Sequence, residues 1–133
     1  MKIGKNGLSL LKNWEQGPNG GFASISYKCS GNKNTIGWGH VIKESDKIVQ
    51  PIDRVKAEEL LLNDIEWAED AINKLVKVEI NQNQFDSLVC FVFNIGENNF
   101  RNSTLLKLLN EGSLDLVPTQ LMRWVYAAGK QLR

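Results

Sequence analysis

Residues 27–40, YKCSGNKNTIGWGH, gather three glycines, a threonine, a tryptophan, one of the chain's two cysteines and its only histidine into fourteen positions. The stretch reads as the heart of a small β-region. FASISYK before the turn and TIGWGHVI after it are short alternating runs, and SGNKN between them is turn-forming. Upstream, Leu8, Leu11 and Trp14 recur at helical spacing until Gly17-Pro18 stops them, which predicts a first helix with Glu15 in its last turn.

Past Pro51 the period changes. Asp53 is a candidate N-cap for a helix over 54–78, with Val55, Ala57, Leu60, Leu61, Ile65, Ala68, Ile72, Leu75 and Val76 on its apolar side. Asn81 and Gln84 resemble a capping box before Phe85, Leu88, Val89, Val92 and Phe93, and Gly96 ends that helix. STLLKLLNEG and PTQLMRWVYAAG add two amphipathic segments. The expected class is α+β: one domain over 1–133, with helix 1 and a glycine-rich β-lobe over about 1–50, a long linking helix and helical lobe over about 51–133, and a cleft between the lobes.

With 133 residues, 42% apolar and 23% charged, the chain has the composition of an ordinary globular domain. Sixteen basic against fifteen acidic residues give a net charge of +1, no basis for nucleic-acid binding. The amino terminus has neither the apolar run of a membrane anchor nor a signal-peptide cleavage site, so synthesis in the cytoplasm is expected. Cys90 lies in the apolar run SLVCFVF and reads as a small buried hydrophobe, whereas Cys29 sits among polar residues. One histidine and two distant cysteines form no recognisable ligand set, so no metal site is expected. Neither a phosphate-binding loop nor a GxSxG elbow is present.

Four residues could carry chemistry. Glu15, at a helix carboxy terminus and beside Trp14, would meet the negative end of the helix dipole and lose solvent; both effects favour a protonated general acid. The alternative is a solvated helix-end glutamate. Thr35 is either a strand-forming residue or a hydroxyl that holds a water by donating and accepting. Cys29 is a nucleophile, a stand-in for a carboxylate, or structural. His40 is a catalytic base or a structural residue paired with an acid, with Asp64 on the long helix as the expected partner.

Taken in order, Glu15-x-Gly17, Tyr27-x-Cys29, Gly31 and TIGWGH resemble the phage-type lysozymes of glycoside hydrolase family 24. NQFDSLVCFVFNIG, NFRNSTLLKLLNEG and RWVYAAGK continue that resemblance, which spans roughly 8–133. It implies a muramidase that cuts the β-1,4 bond between N-acetylmuramic acid and N-acetylglucosamine in peptidoglycan, without a cofactor. Glu15, Cys29 and Thr35 match the family's catalytic set; Gly39, Val41, Phe93, Asn94 and Ser103 match positions lining its saccharide groove. The resemblance further implies a monomer whose partner is the glycan strand, released to the wall by a separate export or pore-forming protein. A noncatalytic wall-binding module and a lytic transglycosylase are the alternatives.

Three departures from the family pattern carry expectations. The PNGG insertion between Glu15 and Cys29 should bulge outward. A cysteine stands where many members have a carboxylate. The sequence stops at Arg133, ahead of a Gly-Leu and arginine-rich segment usual in the family, as a shortened or interrupted chain would.

Overall fold

The computed structural model describes residues 1–113. Its elements run α1 (Lys5–Trp14), β1 (Ala23–Lys28), β2 (Asn34–Gly37), β3 (His40–Val41), α2 (Arg54–Leu75), α3 (Gln82–Ile95), α4 (Glu97–Arg101) and α5 (Thr104–Asn110). This is the α+β arrangement expected. The segment PTQLMRWVYAAG lies outside the described residues.

The chain forms two compact units: Leu11–Glu66, and Met1–Leu10 with the described residues from Trp67 onward. The two boundaries fall within helices, between Leu10 and Leu11 in α1 and between Glu66 and Trp67 in α2.

In the unit Leu11–Glu66, a three-stranded antiparallel sheet has the order β1-β2-β3. Tyr27 faces Thr35 across the first pair, and Ile36 faces His40 across the second. The TIGWGHVI run is two strands rather than one. Gly37 (φ 66°) and Gly39 (φ 75°) adopt a left-handed backbone that side chains disfavour, which folds the run back on itself. The turn at 29–33 closes by Cys29 N–H to the Lys33 carbonyl at 3.0 Å and Asn32 N–H to the Cys29 carbonyl at 2.8 Å. The PNGG insertion is a tight exposed loop, with Gly17 N–H donating to the Gly21 carbonyl at 2.8 Å. Asp53 caps α2, accepting from Lys56 N–H at 2.8 Å.

In the other unit, Asn81 and Gln84 form the capping box that starts α3. The α3 side chains Phe85, Leu88, Val89 and Val92 are wholly buried, each worth about 1.5–3 kcal/mol of apolar transfer. Helix α2 ends at Leu75, three residues before the expected 78, because the Asn110 side chain takes over its terminus. Asn110 Nδ2 donates to the Leu75 carbonyl at 3.0 Å, and its Oδ1 accepts from Lys77 N–H at 2.7 Å. The sequence pattern gave no warning of α4, a single turn between Gly96 and Asn102 that buries Phe100 edge-on to Phe91.

Candidate active site

The hairpin and the end of α1 bring together, within Leu11–Glu66, most of the residues singled out above. Glu15 directly follows α1, its N–H still bonded to the Leu11 carbonyl at 2.9 Å. Its carboxyl lies against the backbone of Gly39, so closely that a Cβ there would stand 2.4 Å from Oε2. Only glycine combines that approach with the φ of 75°. The turn carrying Gly39 is anchored through Trp38, which is buried against Phe22 with ring centroids 5.4 Å apart. Lys12 Nζ lies 4.5 Å from the Trp38 ring centroid and the Arg54 guanidinium 5.3 Å, tying the turn to α1 and α2 through cation–π contacts.

Burial pushes the Glu15 carboxyl above its usual range, and the negative charge of Asp64 pushes it further. Among the described residues no group donates a hydrogen bond to this carboxyl. The anion is therefore disfavoured.

Thr35 is buried in β2, its hydroxyl donating to the Lys33 carbonyl at 3.0 Å. Cys29 lies half-buried just past β1, and its thiol is held below the usual range. The Thr35 hydroxyl, donating to the sulfur, is the largest cause, followed by the backbone N–H groups of the turn. A hydroxyl has one proton, so it turns to the Lys33 carbonyl beside a neutral thiol and to the sulfur beside a thiolate.

Tyr27, in register with Thr35, is a neighbour that the sequence reading passed over as a site residue. Burial raises its phenol, and the charges of Cys29 and then Glu15 add to that effect. One ring thus feels both groups. The available signal was the alternation of β1, which puts Tyr27 on the same face as Cys29.

His40 is buried between two acids. Nδ1 lies 2.8 Å from Asp64 Oδ2, and Nε2 lies 2.9 Å from Asp46 Oδ2. Burial opposes its protonation, but the hydrogen bonds and charges of Asp46 and Asp64 together outweigh burial and raise its pKa. Asp46 is lowered, first by the Lys43 N–H that it accepts at 2.6 Å and then by His40. At Asp64 burial wins, and its pKa rises in spite of the imidazole. Asp46, too, was missed in the sequence; the left-handed Lys47 (φ 49°) that ends its short turn gives no pattern to read.

Of the positions matched to a saccharide groove, Gly39 and the exposed Val41 belong to Leu11–Glu66. Phe93, Asn94 and Ser103 belong to the other unit. Phe93 stacks on the part-exposed Trp67 with centroids 6.0 Å apart. Asn94 Nδ2 donates to the Cys90 carbonyl at 3.3 Å. The Ser103 hydroxyl caps α5, accepting from Leu106 N–H at 3.1 Å and donating to the Phe100 carbonyl at 2.7 Å, so its proton is already in use. Both cysteines are free; burial first, and then Asp86, drives Cys90 up to about 12. No helix among the described residues is long and apolar enough to cross a membrane.

A half-buried acid beside a glycine turn and a threonine–cysteine hairpin is the setting in which sequence kinship becomes informative. The sequence profile of the phage lysozyme family matches residues 18–133, and the chain belongs to that family. It is 37% identical over 132 residues to an endolysin of Bacillus phage PZA, a match covering 98% of this chain and 49% of that protein. The chain thus spans about half the length of that relative. An endolysin of Salmonella phage P22 is 38% identical over 127 residues, covering 93% of this chain and 84% of its own. Among solved structures, the muramidase domain of SpmX from Asticaccaulis excentricus superposes with a TM-score of 0.76 at 31% identity, covering 93% of this chain and 80% of that one. Glu15 precedes the stretch matched by the family profile.

Proposed function

We propose that this chain is a muramidase, hydrolysing the β-1,4 bond between N-acetylmuramic acid and N-acetylglucosamine in peptidoglycan. The observation that carries it is Glu15: a carboxyl disfavoured as an anion by burial and by Asp64, fixed against Gly39. Such a group protonates the leaving glycosidic oxygen as the bond breaks, an effect worth roughly 10²–10⁴ in rate. Thr35 and Cys29 position the attacking water: Oγ1 keeps lone pairs to accept a water proton, and a sulfur with thiolate character steers the second. Attack from the face opposite the leaving group inverts the anomeric centre. Gly39 and Val41 line the path of the glycan within Leu11–Glu66, and His40 with Asp64 holds the turn that carries Gly39. The names of the relatives, endolysins and a muramidase domain, agree with this chemistry and with a protein that acts on the cell wall.

The test is clearing of exposed cell walls by Glu15→Gln. Turnover should fall by at least about 10²-fold. Stability should hold or rise. A carboxyl whose folded pKa lies above its unfolded value of 4.5 costs stability once pH passes into that interval, and glutamine removes the cost. Undiminished clearing would remove Glu15 from the acid's role. Binding of walls without clearing by the wild type would indicate a noncatalytic module, and 1,6-anhydro ends on the released sugars a lytic transglycosylase.

A further inference from the structure

Lys12 stands three residues before Glu15, whose N–H still follows the α1 ladder, so the two side chains share a side of the helix. The Lys12 ammonium has two partners. It is ion-paired with Glu58 on α2, and it lies 4.5 Å from the centroid of the Trp38 ring. Its side chain is 18% exposed, against 42% for Lys56 in the surface pair with Glu59, so water competes little for it.

Trp38 precedes Gly39, the residue against which the Glu15 carboxyl rests. Gly37 and Gly39 flank it without side chains, so the indole is what neighbours can hold in the turn at 37–39. That indole is buried, packed on Phe22 with centroids 5.4 Å apart, and approached at 5.3 Å by the guanidinium of Arg54, the first residue of α2. All of these residues belong to Leu11–Glu66. Arg54 grips the ring from α2. Lys12 grips it from α1, the helix that ends at the acid.

We propose that Lys12 is a positioning residue for the reaction: its ammonium, pinned between the Glu58 carboxylate and the Trp38 indole, fixes α1 against the turn at 37–39 and so sets the place of the Glu15 carboxyl beside Gly39. This role presupposes that Glu15 is the acid. A reacting group misplaced by about 1 Å loses on the order of 10²-fold in rate, so a slackened brace shows in turnover before it shows in stability. With its ammonium already engaged, Lys12 acts on kcat and not on KM.

The experiment compares Lys12→Met, Lys12→Arg and Arg54→Gln. Methionine keeps an unbranched stem against the indole and removes the ammonium. Arginine keeps a cation that pairs with a carboxylate and stacks on an aromatic face. The quantities read are kcat and KM on soluble glycan strands, the pH profile of kcat, Tm, and the NOEs between Gly39 Hα and the Glu15 side chain. Lys12→Met should lower kcat roughly tenfold, with KM within about twofold, the pH limbs unmoved and the NOEs weakened. Lys12→Arg should recover most of kcat and the NOEs. Arg54→Gln should lower Tm as Lys12→Met does, yet hold kcat within about twofold and keep the NOEs. Full kcat in Lys12→Met, or an equal loss in Arg54→Gln, overturns the proposal. So does a shifted pH limb in Lys12→Met, the mark of a charge rather than a brace. Should Lys12→Met not fold, the wild type still decides: the Lys12 ε-protons must be moved upfield by the indole and show NOEs to it, and a freely averaging lysine overturns the proposal. If the wild type fails to clear walls, the muramidase reading falls, while the NOEs between Gly39 and Glu15 still judge Lys12.

Discussion

In the unit built on α3, the buried acids Glu69 and Asp86 accept from backbone donors: Ile3 N–H at 2.6 Å for the first, Gly4 N–H at 2.8 Å and Gly7 N–H at 3.1 Å for the second. In the unit Leu11–Glu66, Glu15 is half-buried where no described residue donates to its carboxyl, and a second acid adds repulsion. The first arrangement satisfies the carboxyl oxygens with donors and uses them to fasten the amino-terminal segment. The second withholds that satisfaction and so favours a proton. Burial of a carboxyl is therefore not one thing; the donors around it decide whether it is a fastening or an acid.

The contrast is broken most forcefully at Asp86. Asp86→Ala orphans the Gly4 and Gly7 N–H groups and leaves the Gln82 amide, now held at 2.7 Å, with the Lys2 carbonyl at 2.9 Å as its acceptor. Unfolding free energy should fall by about 3 kcal/mol, as lost hydrogen bonds to a charged group cost. Turnover per folded molecule should be unchanged. Denaturant unfolding beside wall clearing checks both, and a large loss of turnover at intact stability would erase the distinction between the units.

Gly39→Ala should behave in the opposite sense. The new Cβ meets the Glu15 carboxyl at 2.4 Å, and because that carboxyl is the free end of a side chain, it swings away rather than unfolding the turn. The left-handed φ of 75° adds only about 1–2 kcal/mol. Turnover should drop by about 10²-fold from misplacement of the acid, with a modest fall in Tm. Normal turnover would mean that the contact between Gly39 and Glu15 does not set the acid's position.

His40 is expected to show its effect through pH. Its folded pKa stands above the ordinary 6.5, so its stabilisation is fully present below 6.5 and is lost as pH rises through the folded value. Asp46 works in the other direction: its folded pKa lies under 3.8, and its contribution fades as pH falls through that lower value. The Tm gap between wild type and His40→Asn should therefore be widest just below 6.5. It should narrow as pH rises through the folded value of His40, or falls first through that of Asp64, above 3.8, and then through that of Asp46. Within that window we expect about 2–3 kcal/mol, toward the low end for breaking a buried pair because both acids are part-exposed. A gap that is constant with pH would deny the ion pairs their role.

These residues also show what the sequence could and could not disclose. The period of α2 and α3 and the capping box at Asn81 are local rules, and they were legible. So was the direction of the Glu15 shift, since its place at a helix end next to Trp14 already argued for a raised pKa. The end of α2 was not, because the group that takes it over, Asn110, is 35 residues away. Asp86 hid because a helical pattern marks which residues are inside but not which backbone N–H groups a buried acid will serve. The contact of Gly39 with the Glu15 carboxyl likewise joins positions 24 residues apart, invisible to spacing. Local signals wrote the elements; the electrostatics of the site depends on pairings that only folding brings about.

The mildest change falls on the hairpin and asks whether its polar groups act on chemistry rather than on the fold. Thr35→Val keeps the β-branched shape and removes only the hydroxyl, the largest cause of the lowered Cys29 thiol. Its other tie, to the Lys33 carbonyl, is a single neutral hydrogen bond worth about 1 kcal/mol. With the donor gone, the thiol should titrate at higher pH, and alkylation of Cys29 by iodoacetamide should slow a few-fold at fixed pH, since the thiolate is the reacting form. Cys90 supplies the internal reference: buried and pushed up to about 12, it should stay unlabelled in both proteins. An unchanged Cys29 rate would mean that the turn amides of 29–33, not the hydroxyl, hold the sulfur's charge. Thr35 would then act on water alone.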